Sequence, residues 1–139
     1  MITKTASLRI PELTRDAIDD VCRRTGRTFS SMANEMLSEA VKMRRIPGVA
    51  FQDAPSGRTA IIAGTGLAVW EVARSYRDAE RNWEDLKAEY DWLGERQLRA
   101  ALAYAEAYPA EIDERIAEDE KWTPKYTWAT YPFMRPPWA

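Results

Sequence analysis

The chain has 139 residues, of which 45% are hydrophobic, and this length suits one ordinary domain or two very small ones. It has no histidine and one cysteine, which excludes an internal disulfide, a zinc site built on cysteine and histidine, and catalysis by a histidine base. The net charge of −2 conceals three zones: residues 1–48 carry nine Lys and Arg against six Asp and Glu, residues 49–120 carry eight against 16, and residues 121–139 carry three against none.

A strand is predicted at residues 3–10, because apolar and polar side chains alternate there and a period of two is typical of a half-buried strand. The apolar face consists of Ala6, Leu8 and Ile10. The polar face consists of Thr5, Ser7 and Arg9. Pro11 then ends the strand and can open a helix at its first position.

Two amphipathic helices follow the strand. The first is predicted over residues 12–25 and ends at Gly26. The second is capped by Thr28 or Ser30 and runs to about residue 44. A lone strand has no partner for its backbone N–H and C=O groups, and 48 residues bury little surface by themselves. We therefore expect two chains to pair, with the strands forming an antiparallel ribbon and the four helices sharing one core.

The segment from Lys4 to Val41 resembles the ribbon-helix-helix family of bacterial repressors and antitoxins, with every element in the expected order. In that family the ribbon enters the major groove of DNA. The resemblance therefore implies base contacts from the polar strand residues Thr5, Ser7 and Arg9. It also implies a phosphate contact at the start of the second helix, at Thr28, Ser30 and Ser31. The alternative is that these residues are only the solvated face of a strand.

The middle zone is predicted to be a hairpin followed by helices. Residues 45–63 contain two short extended pieces around a turn at Pro55-Ser56-Gly57. Helical spacing then predicts four helices, at about residues 69–79, 83–91, 95–107 and 110–120. Asn82 is the predicted cap of the second of these helices, and Gly94 occupies the cap position of the third. Pro109 separates the third helix from the fourth.

Residues 57–116 resemble a small bacterial family called domain-of-unknown-function 433. The matching residues are Gly64-Thr65, Val69-Trp70, Glu89-Tyr90-Asp91, Leu93, Leu98 to Ala105, Pro109 and Glu111-Ile112. The chain departs from the usual pattern at Gly66 and Ala68, where Arg and Pro are common. The resemblance implies a helix-turn-helix fold and an occurrence in antitoxins paired with PIN-type ribonucleases.

The charge of the middle zone argues against a second DNA-binding site. Sixteen acidic residues against eight basic ones repel phosphate, and affinity for DNA depends largely on phosphate contacts. The candidate recognition helix is rich in alanine and has Arg96 and Arg99 only near its start. We favour packing or oligomerisation over DNA contact for this zone.

The tail, residues 121–139, is predicted to be extended and to bind a partner. Its four prolines oppose a helix or a central strand, and so short a segment cannot bury six rings by itself. The six rings belong to Trp122, Tyr126, Trp128, Tyr131, Phe133 and Trp138. Rigid aromatic side chains are common anchors at interfaces, so we favour a partner's groove over the chain's own helical domain.

Arg135 lies among the aromatic residues of the tail, and the tail has no acidic residue. A guanidinium binds carboxylates through two parallel hydrogen bonds. PIN-type ribonucleases hold their metal with clustered carboxylates, so an inserted Arg135 would neutralise that cluster and compete with the metal.

Together these features predict a mainly α chain with three parts. A ribbon-helix-helix dimer at residues 1–48 precedes a small helix-turn-helix-like domain at residues 49–120 and an extended aromatic tail at residues 121–139. The expected function is that of a VapB-like antitoxin of a type II toxin–antitoxin system, which represses its own operon at operator DNA and neutralises a toxin, a PIN-type ribonuclease. The alternative is a stand-alone transcriptional regulator whose tail packs on its own helical domain.

No enzymatic activity, metal or cofactor is expected, because the sequence has no nucleophile–base pair, phosphate-binding loop or metal motif. No apolar run approaches the ~18 residues that a membrane span needs, and no signal peptide is recognisable. The expected location is the cytoplasm.

Overall fold

A computed structural model describes residues 2–139, which form two compact units, and the boundary along the chain falls between Lys42 and Met43. The sequence analysis placed this boundary after residue 48, and residues 121–139 group with the second unit. The elements are helices α1 (Glu12–Thr25) and α2 (Phe29–Arg45), strands β1 (Val49–Ala54) and β2 (Gly57–Ile62), helices α3 (Val69–Asp78), α4 (Trp83–Glu89), α5 (Glu95–Ala107), α6 (Pro109–Glu120) and α7 (Pro124–Thr130), and a 3-10 turn (Pro132–Met134). The chain is therefore mainly helical, as predicted.

The two helices of the first unit occur where the sequence predicted them, because local sequence signals set their ends. Pro11 precedes α1 and its carbonyl accepts the first helical hydrogen bond, so it acts as the N-cap rather than as the first helical residue. Gly26 ends α1 at φ +70°, in the left-handed region that glycine adopts without steric cost. Of the two predicted caps of α2, Thr28 is the one that caps the helix: its Oγ1 accepts a hydrogen bond from the amide of Ser31 at 3.2 Å.

The strand predicted at residues 3–10 is absent from the single chain. This segment has no regular secondary structure, and the sheet formed within residues 2–139 consists of β1 and β2 alone. The physical reason is that a strand needs a partner for its backbone groups, and this chain offers none to the segment. The ribbon of two such strands stays a prediction about a pair of chains.

The second unit has the hydrophobic core of the molecule. One face of the β1–β2 hairpin packs on the helices through Val49, Ala60 and Ile62. The helices contribute the other buried side chains, which include Val69, Val72, Leu86, Leu98, Tyr104, Ile112 and Ile116. Tyr104 is fully buried, and its hydroxyl donates a hydrogen bond to Glu111. The turns around Gly48 and Gly64 have positive φ angles of +100° and +79°.

The helix starts of the second unit follow the predicted caps. Asn82 accepts the amide of Asp85 at 3.0 Å and begins α4, and the Gly94 amide donates to the side chain of Gln97 at 2.8 Å before α5. Pro109 is the first residue of α6, where a missing N–H has no consequence for the helix. No helix within residues 2–139 is long and apolar enough to cross a membrane.

The prediction of an extended tail is wrong for its first half, because residues 124–130 form helix α7. Thr123 caps this helix by accepting the amide of Tyr126 at 3.2 Å, and Pro124 occupies the first helical position. Proline opposes the interior of a helix but suits its first turn, and the prediction of an extended tail rested on the first effect alone.

Candidate functional site

The first unit leaves most of its apolar surface open. Met32 is the one buried side chain among residues 2–42, and α1 buries none of its residues. A large groove, with a cavity volume of about 930 Å³, runs over this unit. We call it the helix groove. Its apolar lining includes Leu8, Ile10, Leu13, Ala17, Ile18, Val21, Phe29, Ala33, Met36 and Leu37.

The exposure of individual side chains in the helix groove is high for apolar residues. Leu13 is 84% exposed, Leu8 65% and Leu37 54%. Burying such a side chain contributes about 1.5–3 kcal/mol of favourable free energy, so covering this surface would be strongly favourable. An isolated pair of amphipathic helices with one buried residue has little else to stabilise it.

The predicted base-contacting residues Thr5, Ser7 and Arg9 are all exposed. Arg9 also lines the helix groove, as do its sequence neighbours Leu8 and Ile10, which belong to the apolar face of the predicted strand. The single chain does not align the three side chains on a strand face, since the segment has no strand.

The predicted phosphate contact lies at the start of α2, where Thr28, Ser30 and Ser31 are exposed. The Ser31 amide already donates to Thr28, and the guanidinium of Arg27 donates to the Ser31 hydroxyl at 2.8 Å. Arg27 also forms an ion pair with Glu35 at 2.8 Å. Arg27, which lies beside the start of α2 in this cluster, was not among the predicted site residues.

The tail residues predicted to bind a toxin fall into three groups. Trp122, Tyr126 and Tyr131 pack on one another, with the rings of Trp122 and Tyr131 stacked at 6.0 Å and 12°. Trp128 is half-buried, and the Arg135 guanidinium lies 6.0 Å from the centre of its ring. Two rings at the end of the tail are almost uncovered: Phe133 is 84% exposed and Trp138 is 87% exposed.

A second cleft, which no sequence signal indicated, lies in the second unit. We call it the hairpin cleft, and its cavity volume is about 580 Å³. It is lined by Gln52, Ala54, Pro55, Ser56, Thr59, Gly66, Ala68, Trp70, Glu71, Arg115, Glu118, Asp119, Trp122 and Tyr131. These residues come from the hairpin, the loop before α3, the end of α6 and the tail, and only the fold brings them together.

Hydrogen bonds of Arg115 and one ion pair of Arg74 link the walls of the hairpin cleft. Arg115 on α6 donates to the Ser56 hydroxyl and to the backbone carbonyl of Arg58, which ties α6 to the hairpin. Arg74 forms an ion pair with Asp119 and lies over the ring of Trp70 at 4.9 Å. The lining of the cleft includes aromatic and acidic side chains and one arginine, Arg115.

Comparisons with known proteins identify part of the second unit. Residues 53–105 match the model of a family described as Protein of unknown function (DUF433), which agrees with the resemblance predicted from the sequence. No curated protein and no solved structure matches the chain. The match covers the last two residues of β1, then β2, α3, α4 and most of α5, which is less than half of the chain.

Proposed function

We propose that the chain is a homodimeric DNA-binding protein of the ribbon-helix-helix type that acts as an antitoxin, repressing its own operon and neutralising a cognate toxin. The observation that carries this proposal is the open helix groove of the first unit. The first unit exposes its leucines and buries a single residue, as expected for a core that only a second copy completes.

A second copy of the same unit is the occupant that fits the helix groove. Residues 6–10 alternate apolar and polar side chains, and their apolar members Leu8 and Ile10 line the groove. Pairing two such segments supplies the missing backbone partners, and it places the apolar side chains between the helices of both copies. The polar side chains then share the outer face of the ribbon.

The outer face of that ribbon carries Thr5, Ser7 and Arg9 from each copy. This face suits the major groove, because a two-stranded ribbon fits it and arginine binds guanine O6 and N7 through two hydrogen bonds. Residues 1–48 carry three more basic than acidic residues, which favours binding to phosphate.

The direct test combines light scattering of the purified chain with binding to the DNA upstream of its own gene. We expect a dimer, and we expect Arg9→Ala to weaken binding at least about tenfold, since a bidentate base contact is worth roughly 1–3 kcal/mol. Arg23→Ala is the matched control, because Arg23 is an exposed arginine of α1 that does not line the helix groove. A monomer, or equal losses from both variants, would contradict the DNA-binding proposal.

The toxin-binding part of the proposal is supported by the uncovered end of the tail. Phe133 and Trp138 lie on either side of Arg135 in the sequence and expose their rings, and exposed aromatic anchors are typical of interfaces. With a PIN-type ribonuclease as toxin, we expect Arg135→Ala to reduce inhibition in a nuclease assay, whereas Lys125→Ala, at an exposed residue in the first turn of α7, leaves it intact. Unchanged inhibition by Arg135→Ala would remove the role of that guanidinium.

A stand-alone regulator is the second candidate, and one observation favours it. Trp122 and Tyr131 line the hairpin cleft together with Trp70, so the first half of the tail lies beside its own domain. Limited proteolysis of the isolated protein separates the two candidates: a tail resistant through Ala139 supports the regulator, and cleavage between Phe133 and Trp138 supports the partner-binding tail.

A further inference from the structure

We propose that the hairpin cleft binds a small uncharged heteroaromatic compound whose edge carries a hydrogen-bond donor beside an acceptor, as a nucleobase or a nucleoside does. The evidence is a pair of polar side chains, Gln52 and Thr59, which line the cleft and have no hydrogen-bond partner within residues 2–139. The site lies in the second unit alone, so it goes beyond the proposed function and does not depend on the first unit.

Thr59 is a buried polar residue whose hydroxyl has no partner in the described part of the chain. It lies on β2, is only 5% exposed and lines the hairpin cleft. Every fully enclosed side-chain nitrogen or oxygen of the buried and half-buried residues described has a hydrogen-bond partner. The Thr59 hydroxyl is therefore not fully enclosed, and it opens onto the cleft. A ligand that forms a hydrogen bond with this hydroxyl offsets the unfavourable burial of an unbonded polar group.

Gln52 lies directly opposite Thr59 in the β1–β2 hairpin, so the two side chains project from the same face of the sheet. Gln52 is half-buried and lines the cleft, and its amide has no partner among the described residues. A primary amide offers an N–H donor beside a carbonyl acceptor. This arrangement matches the edge of a base such as adenine, which glutamine binds through two hydrogen bonds.

Aromatic side chains from two parts of the chain line the same cleft. Trp70 comes from the start of α3, whereas Trp122 and Tyr131 flank α7 and are stacked on each other at 6.0 Å. Among the described residues, Trp70 makes no ring contact with either of the other two. The cavity that the three rings share is open to a planar ring, which packs favourably against aromatic side chains. Its volume of about 580 Å³ lies within the range of about 300–1,000 Å³ that is common for ligand sites.

The charged groups of the cleft are already paired, which favours an uncharged ligand. Each of the charged side chains that line it has a partner within the chain: Glu71 with the Ala68 amide, Arg115 with Ser56 and a backbone carbonyl, Glu118 with Lys121, and Asp119 with Arg74. A charged ligand would have to displace one of these partners. A neutral ligand leaves all of them in place and uses the unpaired groups of Gln52 and Thr59.

The surroundings of the cleft favour a free compound over a base within a nucleic acid strand. Helix α6 contributes to the cleft and has six acidic residues against one basic residue, Arg115. A neighbouring depression on the same helix includes Glu111 and Glu114. These carboxylates repel the phosphates of a strand, on which affinity for nucleic acid largely depends. A free nucleobase or nucleoside has no phosphate and meets no such repulsion.

The end of the tail leaves the cleft open. Residues 132–139 do not line it, although Trp122 and Tyr131 do. The Arg135 Nε donates to the Ala139 carbonyl at 3.0 Å, and the guanidinium lies 6.0 Å from the centre of the Trp128 ring. The first half of the tail therefore helps to form the site, and the second half is engaged outside it.

Calorimetric titration of the full chain with nucleosides is the first test. We expect adenosine to bind, because its base offers the donor and the acceptor that pair with a glutamine amide. Purine riboside, which lacks the exocyclic amino group, is the matched control and should bind at least about tenfold more weakly. Equal binding of these two compounds would overturn the proposal. So would the absence of binding by adenosine, guanosine, cytidine and uridine alike.

Two substitutions locate the bound compound in the cleft. Thr59→Val keeps the shape of the side chain and should weaken adenosine binding about threefold to tenfold, because it removes one hydrogen bond. Gln52→Ala should weaken it at least about tenfold, because it removes two. Thr130→Val is the matched control, since Thr130 is an exposed threonine outside the cleft. Equal affinities of all three, with each protein folded by circular dichroism, would overturn the proposal.

Two further changes test the aromatic wall and the tail. Trp122→Ala should weaken adenosine binding at least about tenfold by removing a stacking surface, whereas Trp92→Ala, at an exposed tryptophan outside the cleft, should not. A chain that ends at Tyr131 keeps every residue of the cleft and should bind adenosine as the full chain does. Much tighter binding by the shortened chain would identify the end of the tail as the occupant and would overturn the proposal.

Competition with a single-stranded oligonucleotide of adenosines distinguishes a free compound from a base within a strand. We expect the oligonucleotide to displace bound adenosine poorly, because α6 repels its phosphates. Displacement at a lower concentration of bases than free adenosine requires would overturn the assignment to a free compound. Arg9→Ala, which leaves the cleft intact, should bind adenosine as the unaltered chain does, so failure of the DNA-binding proposal and failure of this one are distinguishable.

Discussion

The two glycines Gly48 and Gly66 differ in whether their surroundings require a glycine. Gly48 has a φ of +100°, and a Cβ added to it would lie 3.3 Å from the Cβ of Ala100. A Cβ on Gly66 would meet nothing within 4 Å, and its φ lies outside the left-handed region. Gly48 therefore has both a backbone and a packing reason to be glycine, and Gly66 has neither.

Gly48→Ala should destabilise the second unit by about 1–3 kcal/mol, since alanine at positive φ is strained and the 3.3 Å contact adds crowding. Gly66→Ala, the matched control, should change stability by less than about 1 kcal/mol and can raise it by restricting the unfolded chain. Chemical denaturation of both variants measures the difference. Equal losses would show that the backbone angle at Gly48 has no energetic role.

Tyr90 links α3 to the turn after α4, with its hydroxyl 2.9 Å from the Ser75 hydroxyl. Burial raises its pKa above the ordinary value of 10.0, against a smaller lowering by the Ser75 hydrogen bond. Because folding raises this pKa, the unfolded chain loses the phenolic proton at a lower pH than the folded chain does. The contribution of Tyr90 to the free energy of unfolding is therefore full below pH 10 and is lost as the pH rises further.

We therefore expect the stability of the protein to fall more steeply above pH 10 than that of Tyr90→Phe, which has no phenolic proton to lose. Urea denaturation at pH 8 and at pH 10.5 measures this difference. Parallel losses in the two proteins would contradict the role of Tyr90.

At the scale of elements, α1 and α2 are regular helices whose apolar faces have no cover in the single chain. Their bounds followed from the spacing of apolar residues, from Gly26 and from Thr28, and all three signals are local. Within this unit Arg15 lies over the ring of Phe29, 3.9 Å from its centre, and so links the two helices. Such a contact orients helices but does not replace a core.

Leu37→Glu should weaken the proposed dimer by about a hundredfold or more, because a buried carboxylate without a partner costs several kcal/mol. Ser38→Glu adds the same charge to the next residue of α2, which is exposed and does not line the helix groove, and it should leave the dimer intact. Sedimentation equilibrium measures both dissociation constants. A dimer that tolerates Leu37→Glu would place the contact between copies somewhere else.

The elements that the sequence predicted well are those defined by local signals. The four helices predicted from residue 69 onward occur at nearly the predicted bounds, because Asn82, Gly94 and Pro109 mark their starts. Helix α7 was missed because its prolines were judged without the cap at Thr123. The predicted strand at residues 3–10 needs a second chain as its pairing partner, and the hairpin cleft needs segments that are distant in the sequence to meet. Local signals therefore could not establish either of them.

At the scale of the whole molecule, the two units have different sources of stability. The second unit has a continuous core of buried aliphatic and aromatic residues, whereas the first has one buried side chain among residues 2–42. A unit with so little buried surface is marginal as a monomer. Its stability should then depend on association, and that of the second unit should not.

We expect a fragment of residues 46–131, which lacks the end of the tail, to unfold cooperatively at a midpoint that does not depend on protein concentration. A fragment of residues 1–45 should gain helical circular dichroism as its concentration rises, because association stabilises only the folded form. Helical signal in the short fragment that stays constant over a thousandfold dilution would contradict this division of stability.

The nearly coreless first unit has a consequence for the lifetime of the protein in a cell. Proteases cleave chains in proportion to how often a segment opens, and a copy outside the proposed dimer offers residues 2–42 almost without protection. Scarce copies would then be degraded quickly and abundant copies would shield one another. The amount of this protein would fall abruptly, rather than gradually, once its synthesis slows.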